Sequence, residues 1–185
     1  ALTTGLDGSI WVANMGSDTV QQIVNDNGVW TAQEKIRVGY FPVALTTARD
    51  GSIWVANGGV APIWLGPAGI VTLPSTVQQI VNDNGVWTPQ TAISSAEEVP
   101  SALIESPYGL TTGLYGSIWV SGSNTVQQIV NDHGVWTTEA AIDVGESPLG
   151  LTTGLDGSIW VANSKSNTVQ QIVNDNGVWT AQAAI

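Results

Sequence analysis

The sequence contains no cysteine, so a disulfide framework and thiolate chemistry are both absent. Positive charge is scarce as well, because Lys35, Arg37, Arg49 and Lys165 are the only lysines and arginines and the net charge is −11. Nucleic acids and anionic membrane surfaces are bound through positive charge, so we expect neither as a partner. A cationic ligand or a metal ion is compatible with this acidity, which by itself mainly indicates solubility.

Long apolar runs are missing too, and no segment is apolar for long enough to span a bilayer. No signal peptide is recognisable. The chain begins at Ala1 and has a single methionine, Met15, which indicates a processed or excised chain. It is rich in Asn, Thr, Gln and Gly and poor in lysine, a composition that favours a secreted or cell-surface protein.

What the sequence does contain is one long repeat in four copies, which begin at Leu2, Leu45, Leu110 and Leu151. The string TVQQIVND occurs in each copy without a change, at Thr19, Thr76, Thr125 and Thr168. The copies start 43, 65 and 41 residues apart. About 40–45 residues is the size of a four-stranded propeller blade, while helix pairs of the HEAT or armadillo type have a similar length.

Turn chemistry decides between these alternatives, as the copy that begins at Leu151 illustrates. The Asp156-Gly157 and Asn176-Gly177 dipeptides are strong hairpin signals, and β-branched and aromatic residues fill the runs between the turns. With so many turn signals, no segment of the copy is long enough to show the periodicity of an α-helix. Each copy is therefore predicted to be a meander of four short antiparallel strands.

The predicted fold class is all-β, a four-bladed β-propeller or a four-blade piece of a larger propeller. The whole chain, 1–185, is expected to form a single domain. Its blades are predicted at about 1–42, 43–107, 108–148 and 149–185. No strand is exchanged between the two ends in this interpretation, so no shared strand fastens the ring and the blade edges are open to pairing with another molecule. A ring completed by two chains is therefore a further alternative.

Copy two differs from the others by two insertions, 58–75 after its second strand and 94–107 after its fourth. Alternate connections of a meander emerge on the same face, so we expect both insertions on one face, where loops held by a rigid scaffold often carry function. The predicted ligand or partner site consists of Trp64, Glu97, Glu98 and Glu105, together with Tyr40 and Phe41 in the link between copies one and two. A loop that merely caps the ring opening, or packs on a neighbouring molecule, is the competing interpretation.

Two further residue sets repeat in every copy. The first comprises the tryptophans of the second and fourth strands, which we interpret as packing between blades: Trp11, Trp54, Trp119 and Trp160, and Trp30, Trp87, Trp136 and Trp179. The second is an amide pair in the third strand, Gln21-Gln22, Gln78-Gln79, Gln127-Gln128 and Gln170-Gln171. Hydrogen bonding within the stack is the first interpretation of the amides, and one sugar-binding position per blade is the second.

The segment from Ser147 to Val161, SPLGLTTGLDGSIWV, resembles the P-x-G-I-x-x-G-P-D-G-x-L-W-F pattern of streptogramin (virginiamycin B) lyase-like propeller repeats, and is similar to NHL and YVTN repeats. The resemblance extends over all four copies and implies propeller architecture. Lyases of that family are seven-bladed and use histidine and glutamate beside a magnesium ion. Here the only histidine, His133, lies in a hairpin turn on the face opposite the insertions, and matches no catalytic position.

Other catalytic patterns are not found in the sequence. His133 has no identifiable triad partners, and its position indicates an exposed replacement of the asparagine found in the other copies. The aspartates of the Asn-Asp-x-Gly turns do not match EF-hand spacing. No catalytic residue, cofactor or metal is predicted, and magnesium or calcium stays an alternative without support.

Three functions follow, in order of preference. The first is a non-enzymatic extracellular binding or assembly module whose protein or glycan partner sits on the insertion face. The second is a streptogramin-lyase-like enzyme or a fragment of one. The third is a carbohydrate-binding propeller with a site in each blade. Whether the chain is an enzyme is left open, with a non-enzymatic role favoured, and homo-oligomers through the unlocked blade edges are expected to be possible.

Overall fold

The computed structural model describes residues 1–64, 70–94 and 106–185. These residues form twenty β-strands, one short 3-10 helix at Met15–Ser17 and no α-helix. Blade 1 contains β1 (Leu2–Thr4), β2 (Ile10–Asn14), β3 (Thr19–Asp26) and β4 (Val29–Arg37). Blade 2 contains β5 (Pro42–Thr47), β6 (Ile53–Asn57), the hairpin of β7 (Val60–Trp64) and β8 (Ile70–Leu73), then β9 (Thr76–Asp83), β10 (Val86–Pro89) and β11 (Ile93–Ser94). The predicted all-β class is confirmed.

The second half repeats the pattern. Blade 3 contains β12 (Leu110–Thr112), β13 (Ile118–Ser121), β14 (Thr125–Asp132), β15 (Val135–Thr138) and β16 (Ile142–Asp143). Blade 4 contains β17 (Pro148–Thr153), β18 (Ile159–Asn163), β19 (Thr168–Asp175) and β20 (Val178–Ala181). Each blade is a four-stranded antiparallel meander, and β11 and β16 add short edge pairings to β9 and β14.

Local chemistry explains the hairpins. Asn27, Asn84, His133 and Asn176 each adopt a left-handed φ near 52° and are followed by a glycine with φ near 91°, which is the geometry of a two-residue type I′ turn. The asparagine two residues earlier closes the turn, as Asn25 does by accepting a hydrogen bond from the Gly28 amide at 2.8 Å. The strand boundaries therefore follow from turn residues that repeat in every copy.

The cores lie between blades. Blades 2 to 4 each turn a Leu, two Ile, a Val and the fourth-strand Trp towards the blade before them; in blade 2 these are Leu45, Ile53, Ile80, Val55 and Trp87. We call this the N-side face. The opposite C-side face carries the second-strand Trp, the residue two positions later and the first Val of TVQQIVND; in blade 2 these are Trp54, Ala56 and Val77.

Tryptophan pairs join the faces at all three junctions. Trp11 meets Trp87, Trp54 meets Trp136 and Trp119 meets Trp179, each edge to face with ring centroids 4.6–4.7 Å apart. Such pairs contribute about 0.5–1.5 kcal/mol beyond their buried area. The interpretation of these tryptophans as packing between blades is thus supported for six of the eight.

The inner strands follow one another around an axis, with β1 beside β5, β5 beside β12 and β12 beside β17. Threonine hydroxyls link them, because Thr47, Thr112 and Thr153 donate to the carbonyls of Thr4, Thr47 and Thr112 at 2.9–3.0 Å. In the described part of the chain, no comparable contact joins β17 back to β1. The four blades therefore form an open arc with one uncovered face at each end.

Candidate functional site

Both insertions of blade 2 begin or end at the same point of the sheet. The first, which contains the β7–β8 hairpin, leads through Pro74 and Ser75 into Thr76, the first residue of β9. The second leaves from β11, in which Ser94 pairs with Thr76 and Ile93 with Val77. Both insertions therefore join the sheet at the start of β9, which we call the root of the insertions. This is the end of the sheet from which the meander topology predicts that both emerge.

The link between blades 1 and 2 is tied to this root by backbone hydrogen bonds. The Gly58 amide donates to the Phe41 carbonyl at 2.8 Å and the Gly59 amide to the Tyr40 carbonyl at 3.1 Å. Asp18 accepts a hydrogen bond from the Phe41 amide at 3.0 Å and holds it at a φ of 54°. The Tyr40 and Phe41 side chains remain exposed beside the first insertion.

A groove with a volume of about 480 Å³ lies between this link and the root. Its lining residues, which we call the insertion groove, are Arg37, Val38, Gly39, Tyr40, Pro74, Thr76, Gln78 and Ala92. The groove thus combines one of the four cations of the chain, an exposed phenol ring and a strand amide. A few polar groups in an otherwise apolar concavity are typical of ligand sites.

Gln78 supplies the most informative polar atom of the insertion groove. Its Nε2 atom donates to the Gln90 carbonyl at 2.8 Å, while its Oε1 atom is buried and has no hydrogen-bond partner within the described residues. The equivalent Oε1 of Gln170 in blade 4 accepts from the Gly145 amide and from Asn163 Nδ2, both at 2.8 Å. An unpartnered buried acceptor costs about 1–3 kcal/mol, so a donor supplied by a ligand would be stabilising there.

The structure brings together only part of the predicted site. Tyr40 lines the insertion groove and Phe41 adjoins it. The backbone of Trp64 ends β7, but its side chain lies outside the described residues, and so do Glu97, Glu98 and Glu105. Sequence reasoning missed Arg37 and Gln78, although Arg37 stood out as a rare cation in the link. Nothing distinguishes Gln78 from its three equivalents in sequence.

Seven of the eight repeated glutamines have side-chain amides that donate hydrogen bonds inside their own blades. Gln21, Gln78, Gln127 and Gln170 each donate to the backbone carbonyl of the residue twelve positions later, at 2.7–3.2 Å. Gln22 donates to Ser9 and Asp7, and Gln79 donates to Ser52. These bonds support the structural interpretation of the amide pair, because each of these side-chain amides already donates within its own blade.

His133 replaces an asparagine without changing the turn. Its Nδ1 atom lies against the Asp132 carboxylate, as the Nδ2 atoms of Asn27, Asn84 and Asn176 lie against theirs at 2.8–2.9 Å. Both His133 and Asp132 are highly exposed. The described residues include no group of three His, Cys, Asp or Glu side chains placed to hold a metal ion. Across the same ranges, no helix is long and apolar enough to cross a membrane.

Two carboxylates have lowered pKa values, Asp7 in the turn between β1 and β2 and Asp156 in the turn between β17 and β18. Burial by itself would raise the pKa of Asp7, but hydrogen bonds from the hydroxyl and amide of Ser9 outweigh it and hold that pKa below its usual value. The Ser158 hydroxyl and amide lower the pKa of Asp156 in the same way. Both shifts are explained by local turn geometry, so they do not point to catalysis.

No protein-family model matches the sequence, and no curated protein matches it significantly. Solved structures do resemble the fold. A virginiamycin B lyase from Staphylococcus aureus, solved as a catalytically inactive variant with quinupristin, aligns with a TM-score of 0.64 at 21% identity over 97% of this chain and 53% of its own. A protein provisionally described as a 6-phosphogluconolactonase from Bacteroides uniformis aligns at 0.76 and 17% over 100% and 53%.

A protein from Lactobacillus plantarum is similar as well, with a TM-score of 0.77 and 19% identity over 100% of this chain and 54% of its own. The chain thus spans about half the length of these structures. Identities this low carry the fold and not the activity. The predicted resemblance to streptogramin-lyase-like propellers is confirmed at the level of the fold.

Proposed function

We propose that the chain is a non-enzymatic binding module and that the insertion groove holds the ligand. The observation that carries this proposal is Gln78, which lines the groove and has a buried Oε1 atom without a hydrogen-bond partner among the described residues. The same atom is satisfied in blade 4, where neither insertion exists. A ligand that donates a hydrogen bond to Gln78 would restore the bonding that Gln170 has in blade 4.

The groove chemistry specifies a ligand with both donors and acceptors. Gln78 Oε1 requires a donor, Arg37 offers donors to a carbonyl or carboxylate, and the Tyr40 ring offers an apolar face. An extended peptide segment presents backbone N–H and C=O groups in alternation and fits this set. The net charge of −11 disfavours a strongly anionic ligand, so a peptide of neutral or positive charge is the proposed class.

The experiment uses a random twelve-residue peptide library displayed on phage, followed by affinity measurement with the enriched synthetic peptides. Arg37→Ala and Gln78→Leu are expected to weaken binding at least tenfold. The matched controls are Arg49→Ala and Gln170→Leu, which change the same residue types away from the groove and leave the affinity unchanged. Enriched peptides that bind all four variants equally, or a library with no enrichment, would contradict the proposal.

The extracellular or cell-surface setting belongs to the same proposal and rests on composition. Cell fractionation with an antibody against the chain tests it directly. Recovery in the culture medium or at the cell surface supports this setting, while recovery with the cytoplasmic fraction contradicts it.

One observation favours a lyase-like enzyme as a second candidate, namely the fold similarity to virginiamycin B lyase. The test is a magnesium-dependent elimination assay on cyclic depsipeptides. Turnover that is lost on adding a chelator would establish this function, and complete inactivity would remove it.

A third candidate, carbohydrate binding, is favoured by grooves that recur at the outer rim of every blade junction. Their volumes are about 410, 570 and 440 Å³ from the first junction to the third, and each is lined by Trp87, Trp136 or Trp179 of the following blade. A glycan array with the intact chain decides this alternative, because binding to no glycan would end it.

A further inference from the structure

The two ends of the arc expose the residues that the interior junctions bury. On the N-side face of blade 1, Leu2 is 67% and Trp30 53% exposed, and Ile10, Val12 and Ile23 are only half-buried. On the C-side face of blade 4, Val169 is 40% exposed, Ala162 is exposed and Trp160 is half-buried. Among the described residues, neither Trp30 nor Trp160 has the partner ring that the six other repeat tryptophans have.

These end faces are not capped by polar substitutions. Stacked repeats usually end in units with a polar outer face, because an uncovered repeat surface is apolar and promotes association. Here the end blades keep the interior residues: Ile10 corresponds to Ile53, Trp30 to Trp87 and Val169 to Val77. The sequence therefore preserves two half-interfaces that this arc leaves unused.

The two half-interfaces are also complementary to each other. At every interior junction a C-side face with Trp, Ala or Ser, and Val meets an N-side face with Leu, Ile, Val and Trp. Blade 4 offers the first set and blade 1 offers the second. The hydrogen bonds between threonines could also continue across this contact. In the arc, a threonine hydroxyl donates to a threonine carbonyl of the blade before it, and the equivalent groups at the two ends are the Thr4 hydroxyl and the Thr153 carbonyl.

We propose that the C-side face of blade 4 docks on the N-side face of blade 1 of a second copy of this chain, head to tail. Trp160 then packs against the second copy's Trp30 as Trp119 packs against Trp179. A contact between two different faces closes into a ring when the rotation permits and otherwise extends into a filament. We propose a second copy as the partner because the interior junctions show that these two kinds of face fit each other.

The test is the mass of the 185-residue chain in solution, measured by light scattering across a range of concentrations. We expect a concentration-dependent shift from 19.3 kDa to at least twice that mass. Val169→Asp disables one end and Trp30→Asp the other, and each variant alone is expected to stay at 19.3 kDa. Both positions are exposed, so circular dichroism should show that both variants remain folded.

Mixing the two disabled chains makes the test specific for head-to-tail contact. Each variant retains the face that the other has lost, so the mixture is expected to form a one-to-one heterodimer. A contact between identical faces would give no such rescue and would overturn the proposal.

Matched controls come from the hairpin positions Val29 and Val178, next to Trp30 and Trp179. Their side chains are 62% exposed, and the equivalent Val86 and Val135 are 62% and 63% exposed although a neighbouring blade covers their N-side face, so the contact between blades does not bury these positions. Val29→Asp and Val178→Asp are expected to associate like the original chain. A monomer at every concentration, or an assembly that still forms with Val169→Asp and Trp30→Asp, overturns the proposal. If the chain is a monomer, blades of a longer chain would be the remaining candidate to cover the two end faces.

Discussion

The interior blades and the end blades carry almost the same sequence in different surroundings. The first valine of TVQQIVND is fully buried in blades 1 to 3 as Val20, Val77 and Val126, yet 40% exposed in blade 4 as Val169. The string is identical in all four blades, so burial here is set by position in the stack. Stability in this molecule should therefore depend on neighbours, as it does in stacked repeats generally.

The largest expected effect comes from removing a paired indole. Trp54 is buried against Trp136, so Trp54→Ala is expected to destabilise the chain by about 3–5 kcal/mol. Trp160 is its equivalent without a partner ring, and Trp160→Ala is expected to cost about 1 kcal/mol or less. Urea unfolding at a dilution that keeps the chain monomeric measures both losses of stability, and equal losses would show that a neighbouring blade does not stabilise Trp54.

A milder pair of substitutions sharpens the same contrast inside the identical string. Ile80 is fully buried in blade 2, while the equivalent Ile23 in blade 1 is half-buried on the uncovered N-side face. Removing one methylene group by Ile80→Val is expected to cost about 0.5–1.5 kcal/mol. Ile23→Val should lower the free energy of unfolding by clearly less in the same urea titration. A loss at Ile23 larger than that at Ile80 would show that the N-side face of blade 1 is covered.

The smallest effect concerns a property that should not depend on neighbours. Ser9 holds the pKa of Asp7 low through hydrogen bonds within one turn of the end blade. A carboxylate with a lowered folded-state pKa adds stability above its unfolded pKa and loses that contribution as the pH falls through the folded value.

Ser9→Ala is therefore expected to raise the pKa of Asp7 and to lower stability near neutral pH. The part of this loss that comes from the Asp7 carboxylate should vanish in acid, while the part that comes from the lost hydrogen bond with Gln22 should remain. Titration of the Asp7 carboxyl by nuclear magnetic resonance measures the first effect. Ser17→Ala, at an exposed hydroxyl that bonds only Thr19 in the described structure, is the control. An Asp7 pKa that does not move in Ser9→Ala would refute the local explanation.

Local signals were enough to predict the blades. Hairpin dipeptides such as Asn176-Gly177 mark the turns, and the β-branched string between them marks β19, so strand order and topology follow from one copy. The inward role of the tryptophans also followed from the repeat. What the repeat could not predict is which indoles lack a partner, because Trp30 and Trp160 differ from their equivalents only in what stands beside them.

The candidate site was less predictable for a related reason. Its position followed from topology, since both insertions had to leave the same end of blade 2. Its chemistry did not, because Gln78 differs from Gln170 in hydrogen bonding and not in sequence. The strands β11 and β16 are only two residues long, which is too short for a sequence pattern to predict them. They are strands because they pair with β9 and β14.

The open arc itself can be tested by hydroxyl-radical footprinting of the tryptophans, read by mass spectrometry on the monomeric chain. In an open arc, Trp30 and Trp160 are expected to be oxidised faster than their equivalents in the other blades, with Trp11, Trp54 and Trp119 strongly protected. Protection of Trp30 and Trp160 to the level of those paired indoles would mean that blade 4 closes on blade 1 within one chain, and would contradict the open arc.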